Sequence, residues 1–98
     1  MLGKVFPIPL QPGMQSAAEE IVLEYARRGP ANEPGTLSFR VYRDPQRPDY
    51  LLFVEHFADQ SAYDAHTGSD VYHELIAGRF AKLIEKFVEI DHELIVSL

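Results

Sequence analysis

The 98-residue sequence contains no cysteine and no tryptophan. Without cysteine there is neither a disulfide nor a thiolate metal site, a composition that suits a reducing cytoplasm. Basic side chains are also scarce: 9 Lys and Arg stand against 15 Asp and Glu, a formal net charge of −6. No basic patch is available to displace counterions from phosphates, so a nucleic-acid partner is not expected. No apolar run approaches the ~20 residues of a membrane span, and Met1-Leu2-Gly3-Lys4 does not read as a secretion signal. Phosphate loop, dinucleotide fingerprint and nucleophile elbow are missing as well, which sets aside ATP, NAD and covalent hydrolysis. What remains is 46% hydrophobic and 11% aromatic. That is the make-up of a globular chain, and at this length one domain over residues 1–98 with one modest core is expected.

Periodicity divides the chain into seven elements. Lys4 to Leu10 is short and apolar but carries Pro7 and Pro9, which predicts an edge or irregular strand. Pro12-Gly13 signals a turn. Met14, Ala17 or Ala18, Ile21 and Tyr25 then recur at helical spacing, with Ser16 and Glu19 at capping-box distance and Gly29-Pro30 as the stop. Thr36 to Arg43 alternates, placing Leu37, Phe39 and Val41 on one face and Ser38, Arg40 and Tyr42 on the other. A turn over Asp44–Asp49 leads into Tyr50–Phe57, apolar enough for a central strand covered on both faces. Asp59 or Ser61 can cap a short helix that runs through His66 and ends at Gly68. Ser69 can cap another, with an apolar stripe of Tyr72, Ile76, Phe80 and Leu83. Phe87 to Val96 reads as a last strand. The order is βαββααβ, an α+β chain of the ferredoxin-like kind.

A four-stranded sheet with helices on one side needs only one apolar face, yet Tyr50–Phe57 is apolar on both. The surplus points to cover by a second sheet, as in a homodimer.

Three stretches carry a family likeness: Glu33-Pro34-Gly35-Thr36-Leu37-Ser38-Phe39, Tyr42-Arg43-Asp44, and Glu55 through Ala58-Asp59-Gln60-Ser61-Ala62-Tyr63 to His66. In this order they resemble the antibiotic biosynthesis monooxygenase family. The resemblance implies a dimeric α/β barrel with a cavity between sheet and helices in each subunit. It also implies oxidation of a small phenol, quinol or anthrone by molecular oxygen, without metal, flavin or other cofactor. Other relatives degrade heme or isomerise small metabolites. Phe57 stands where many relatives carry tryptophan, and the heme-degrading branch depends on a tryptophan, so that activity is not expected here.

His66 matches the family histidine at the end of the short helix and is the candidate base. An imidazole can take a phenolic or enolic proton, leaving an anion rich enough in electrons to reduce oxygen. The competing role is a helix C-cap or a packed core histidine. Phe39, Tyr72 and Phe80 are candidates for stacking on a planar substrate, although residues at these periods also build cores. His56 is a candidate to line the cavity or to sit in a dimer interface. Glu55 matches a family glutamate, with Arg40 or Arg43 as its expected ion-pair partner. His73 and His92 lack the spacing of a metal site, and none is expected. The resulting expectation is a monooxygenase with His66 as base. An enol-forming isomerase and a non-catalytic small-molecule binder stand as alternatives.

Overall fold

In a computed structural model, which describes residues 1–98, the elements are β1 (Leu2–Pro9), α1 (Gln15–Arg28), β2 (Thr36–Asp44), β3 (Arg47–Phe57), α2 (Gln60–Thr67), α3 (Tyr72–Arg79) and β4 (Ile90–Glu93). Short 3-10 turns at Pro30–Asn32 and Phe80–Lys82 follow α1 and α3. The four strands form one antiparallel sheet in the order β2-β3-β1-β4. The α+β, ferredoxin-like βαββααβ arrangement is therefore the observed one.

Alternation assigns the two sheet faces. Phe6, Ile8, Leu51, Phe53 and Phe57 are buried on the inner face. They pack against Ala18, Ile21, Val22 and Tyr25 of α1, Tyr63 of α2, Leu75 of α3 and Phe80. Each Phe, Ile, Leu or Val among them contributes about 1.5–3 kcal/mol when it leaves water. The outer face carries Val5, Pro7, Leu52, Val54 and His56, all half-buried.

The structure differs from the sequence reading at five places, each for a local reason. First, β1 is central rather than an edge strand. Leu10 donates its N–H to Asp49 across β3, whereas the Pro9 carbonyl accepts from Glu85 on the other side. Strand alternation therefore turns the missing N–H groups of Pro7 and Pro9 away from β3, and β4 pairs with β1 only over Leu2–Val5. Second, the capping box does not form. Met14 is the N-cap and makes no side-chain cap, Gly13 supplies the turn before it with φ +81°, and Glu19 instead grips the Arg43 guanidinium.

Third, the β2–β3 turn is shorter than expected, because the ladder continues to Asp44 opposite Arg47. Asp44 Oδ1 accepts the Gln46 N–H at 2.9 Å and closes it. Fourth, a bulge between Thr36 and Ser38 makes Leu37 an extra residue, so it is exposed and does not share the inner face with Phe39. Fifth, β4 spans only Ile90–Glu93, and the residues after it form no strand and are exposed.

Candidate functional site

A cavity lies between the inner sheet face and the helices. Phe6, Ile8, Phe53, Ile76, Phe80 and Phe87 form its apolar part, and Tyr25, Glu55, Tyr63, His66, Thr67 and Tyr72 gather at its polar end. It is narrow, with about 30 Å³ open to the centres of water-sized molecules, so an aromatic ligand enters it only as the walls move apart. Phe87, exposed on one side and tilted against Phe6 at 5.5 Å, is its most loosely packed wall.

Local rules bring the polar end together. The Asp59 side chain caps α2 by accepting the Ala62 N–H at 2.9 Å, so the inner side of one short helix presents Tyr63 and His66 to the sheet. The loop before β2 approaches the same helix closely. Ala58 donates to the Gly35 carbonyl at 2.9 Å, and a Cβ on Gly35 would stand 2.5 Å from the Ala62 Cβ. Only glycine fits there, and the approach carries Glu33 onto His66. The third contributor, α3, is π-helical and turns through more than four residues. Tyr72, Ile76 and Phe80, spaced by four, consequently all reach the cavity. Ser69 starts α3 by accepting the Tyr72 N–H at 3.1 Å.

His66 is only 3% exposed. Its Nδ1 lies 2.7 Å from Glu33 Oε1, which also accepts the Thr36 hydroxyl at 2.7 Å. A carboxylate there makes Nδ1 the protonated nitrogen and leaves Nε2 as an acceptor for the Tyr25 hydroxyl at 3.0 Å. Phe57 tilts on the imidazole at 4.9 Å and walls it on that side.

Glu55, on β3, points into the same space. Its Oε1 is 3.5 Å from His66 Nε2, is buried, and has no hydrogen-bond partner. Burial first, then the neighbouring Glu33 and Glu89 carboxylates, push its pKa from 4.5 up to about 8. Burial likewise raises the phenols of Tyr25 and Tyr72, aided by the charge of Glu55, and that of Tyr63, aided by its hydrogen bond to Glu89, so all three hold their protons. No cation lines the cavity. The nearest, Lys4 Nζ, sits 4.2 Å over the Tyr63 ring and is held by Glu89 at 2.8 Å and Asp91 at 2.6 Å.

The structure thus unites His66, Tyr72 and Phe80 around one cavity and leaves two sequence candidates outside it. His56 faces the outer side of the sheet, because neighbours on a strand point oppositely and Glu55 and Phe57 point inward; it lies near Gly3, Leu37 and Arg40. Phe39 stands behind the wall, edge-on to Tyr25 at 5.7 Å and Phe53 at 6.2 Å, and supports both. The expected partner of Glu55 is also corrected: Arg43 binds Glu19, and Arg40 is exposed on the other face. Sequence reasoning missed Glu33 and the Tyr25 hydroxyl. Glu33 had a signal, since it opens the stretch leading to Gly35, whereas Tyr25 fits a core helix position and carries none.

The fold is an α+β, ferredoxin-like one with an aromatic-walled cavity between sheet and helices. The chain belongs to the antibiotic biosynthesis monooxygenase family, whose model matches residues 1–78. Solved structures agree on the fold. A protein of Nitrosomonas europaea assigned to these monooxygenases superposes with TM-score 0.90 at 13% identity, covering 98% of this chain and 100% of that one. One from Caulobacter crescentus, similarly assigned, gives 0.87 at 23%, covering 97% and 90%. PA3566 from Pseudomonas aeruginosa gives 0.87 at 16%, covering 97% and 94%. At these identities the likeness is one of fold. No curated protein matches the sequence. No helix is long and apolar enough to cross a membrane.

Proposed function

We propose that this protein is a cofactor-independent monooxygenase of a small phenolic, quinol or anthrone-like metabolite. The observation that carries the reading is the buried Glu33–His66–Tyr25 chain at the polar end of an apolar cavity. A substrate hydroxyl placed on Tyr25 passes its proton through the phenol to His66 Nε2, and Glu33 stabilises the imidazolium that forms. The substrate anion then gives an electron to molecular oxygen. For an anthrone-type methylene, one oxygen atom becomes the new carbonyl, the other leaves with the two hydrogens as water, and the substrate supplies all the electrons. The aromatic walls exclude bulk water from the intermediate. A homodimer in a reducing cytoplasm is part of the proposal, supported by the half-buried outer sheet face and the lack of cysteine.

The test is oxygen uptake with dithranol as anthrone and 1,4-dihydroxynaphthalene as quinol, with isotopically labelled oxygen to follow incorporation. His66→Gln, which cannot accept the proton, is expected to lose about 10²–10⁴-fold in rate while its melting curve stays cooperative. Wild-type protein that does no better than buffer on either probe overturns the reading. The approach of Glu55 to His66 favours a second one, enolisation by an acid and a base. Deuterium exchange into a hydroxyketone without oxygen consumption would select it.

A further inference from the structure

Glu55 has no part in the proton chain described above, yet it is the most conspicuous unpaired group of the cavity. It is 5% exposed, its Oε1 finds no partner, and no cation reaches it. Its titratable neighbours come from every element packed around it. Glu33 stands before β2, Tyr25 on α1, Tyr63 and His66 on α2, Tyr72 on α3, and Glu89 before β4. Lys4 of β1 is turned to Glu89 and Asp91. Two further acids, three phenols that keep their protons and one imidazole surround Glu55. A buried carboxyl in such company keeps its proton too. A neutral carboxyl is a donor, and it lacks an acceptor here, because Tyr25 already occupies His66 Nε2.

The geometry points to Glu55 as an acid of the cavity, which donates a hydrogen bond to a carbonyl or quinone oxygen of an uncharged aromatic ligand. The inference rests on the proposed function for its purpose. The donor stabilises negative charge on the ligand oxygen as the Tyr25–His66 side removes a proton elsewhere on the same molecule. It also sets a specificity: carboxylates and phosphates are refused by the neighbouring acids Glu33 and Glu89 and find no cation in exchange.

Acetophenone and benzoate test this, since they differ by a methyl for a carboxylate oxygen and neither titrates near neutral pH. Ligand-observed NMR titration is expected to show acetophenone at least ~10-fold tighter than benzoate, the worth of one hydrogen bond or more. Affinity for acetophenone should fall as pH rises from about 6.5 to about 9.5. Glu55→Gln, whose amide still donates, should bind within about threefold and lose the pH dependence, whereas Glu55→Ala should lose about tenfold. Infrared difference spectra of the ligand-free protein across the same range should show one protonated carboxyl ionising in the wild type and not in Glu55→Gln. Equal affinity for benzoate, tighter binding of benzylamine, equal losses in the two variants, or no such carboxyl band overturns the inference. None of these readouts uses oxygen, so a protein that binds as described but consumes none fails only as a monooxygenase.

Discussion

Glu55 concentrates more opposing forces than any other residue of this chain. Its burial makes ionisation unfavourable, and the nearby carboxylates of Glu33 and Glu89 add to that, so its pKa stands at about 8 rather than 4.5. The folded protein therefore holds a proton that the unfolded chain releases between these two values. By linkage, the contribution of this group to stability is complete below pH 4.5 and is lost as pH rises through about 8. The loss amounts to a few kcal/mol on the order of magnitude of such shifts. Glu55→Gln removes the titration and keeps the shape. Between about pH 5 and about pH 8.5 the melting temperature of the wild type should fall by at least ~5 °C more than that of Glu55→Gln. Parallel curves for the two proteins would show that Glu55 is ionised in the fold.

At the scale of elements, the site depends on one close approach and one latch. Gly35 allows the loop before β2 to lie against α2, and a methyl there would meet the Ala62 Cβ at 2.5 Å. Overpacking of this kind costs about 1–3 kcal/mol. Gly35→Ala should lower stability by that amount and lengthen the Glu33–His66 contact, seen as a change in the imidazole NMR shifts. Ala62→Gly in the same chain should recover most of the loss, less ~1 kcal/mol for glycine in a helix; no recovery would place the strain elsewhere. Lys4 is the latch. It ties β1 to Glu89 and Asp91 and so holds Phe87 over the cavity, while Glu89 also accepts the Tyr63 hydroxyl at 2.7 Å. These arrangements explain what the sequence could and could not disclose. The Asp59 cap, the Gly68 stop and the inward turn of His66 follow from local rules and were legible. The central place of β1 was not, because proline reads as an edge signal until the parity of the strand and the shortness of β4 are known. Glu33 reaches His66 through a tertiary approach with no periodicity, and Arg43 takes Glu19 on α1 rather than Glu55 because it stands opposite Leu51, four residues along β3 from Glu55 on the same face.

The whole molecule leaves its outer sheet face unfinished. Val5, Pro7, Leu52 and Val54 form a half-buried apolar strip, and Tyr42, Ile90 and Leu94 stand exposed around it. Beyond β4, Ile95, Val96 and Leu98 are exposed as well, an expensive arrangement for an isolated chain. A second copy laid sheet against sheet covers both features at once and closes a barrel with no free apolar face. The expected interface exceeds ~1,000 Å² and centres on Val54, in the middle strand pair opposite Val5. Scattering at micromolar concentration should therefore give a mass near twice the 11.1 kDa of the chain. Val54→Glu places a charge in the middle of that interface without touching the inner core. It should yield a monomer, or a protein at least ~100-fold weaker in self-association, since an unpaired charge buried there costs about 3 kcal/mol or more. Truncation after Asp91 removes the C-terminal apolar residues from the interface, and part of β4 with them, and should leave an aggregating chain. A wild type that scatters as a stable monomer, or a truncation that folds cooperatively and stays dispersed, would mean that this face needs no partner and that the surplus apolar residues of β3 serve the single sheet alone.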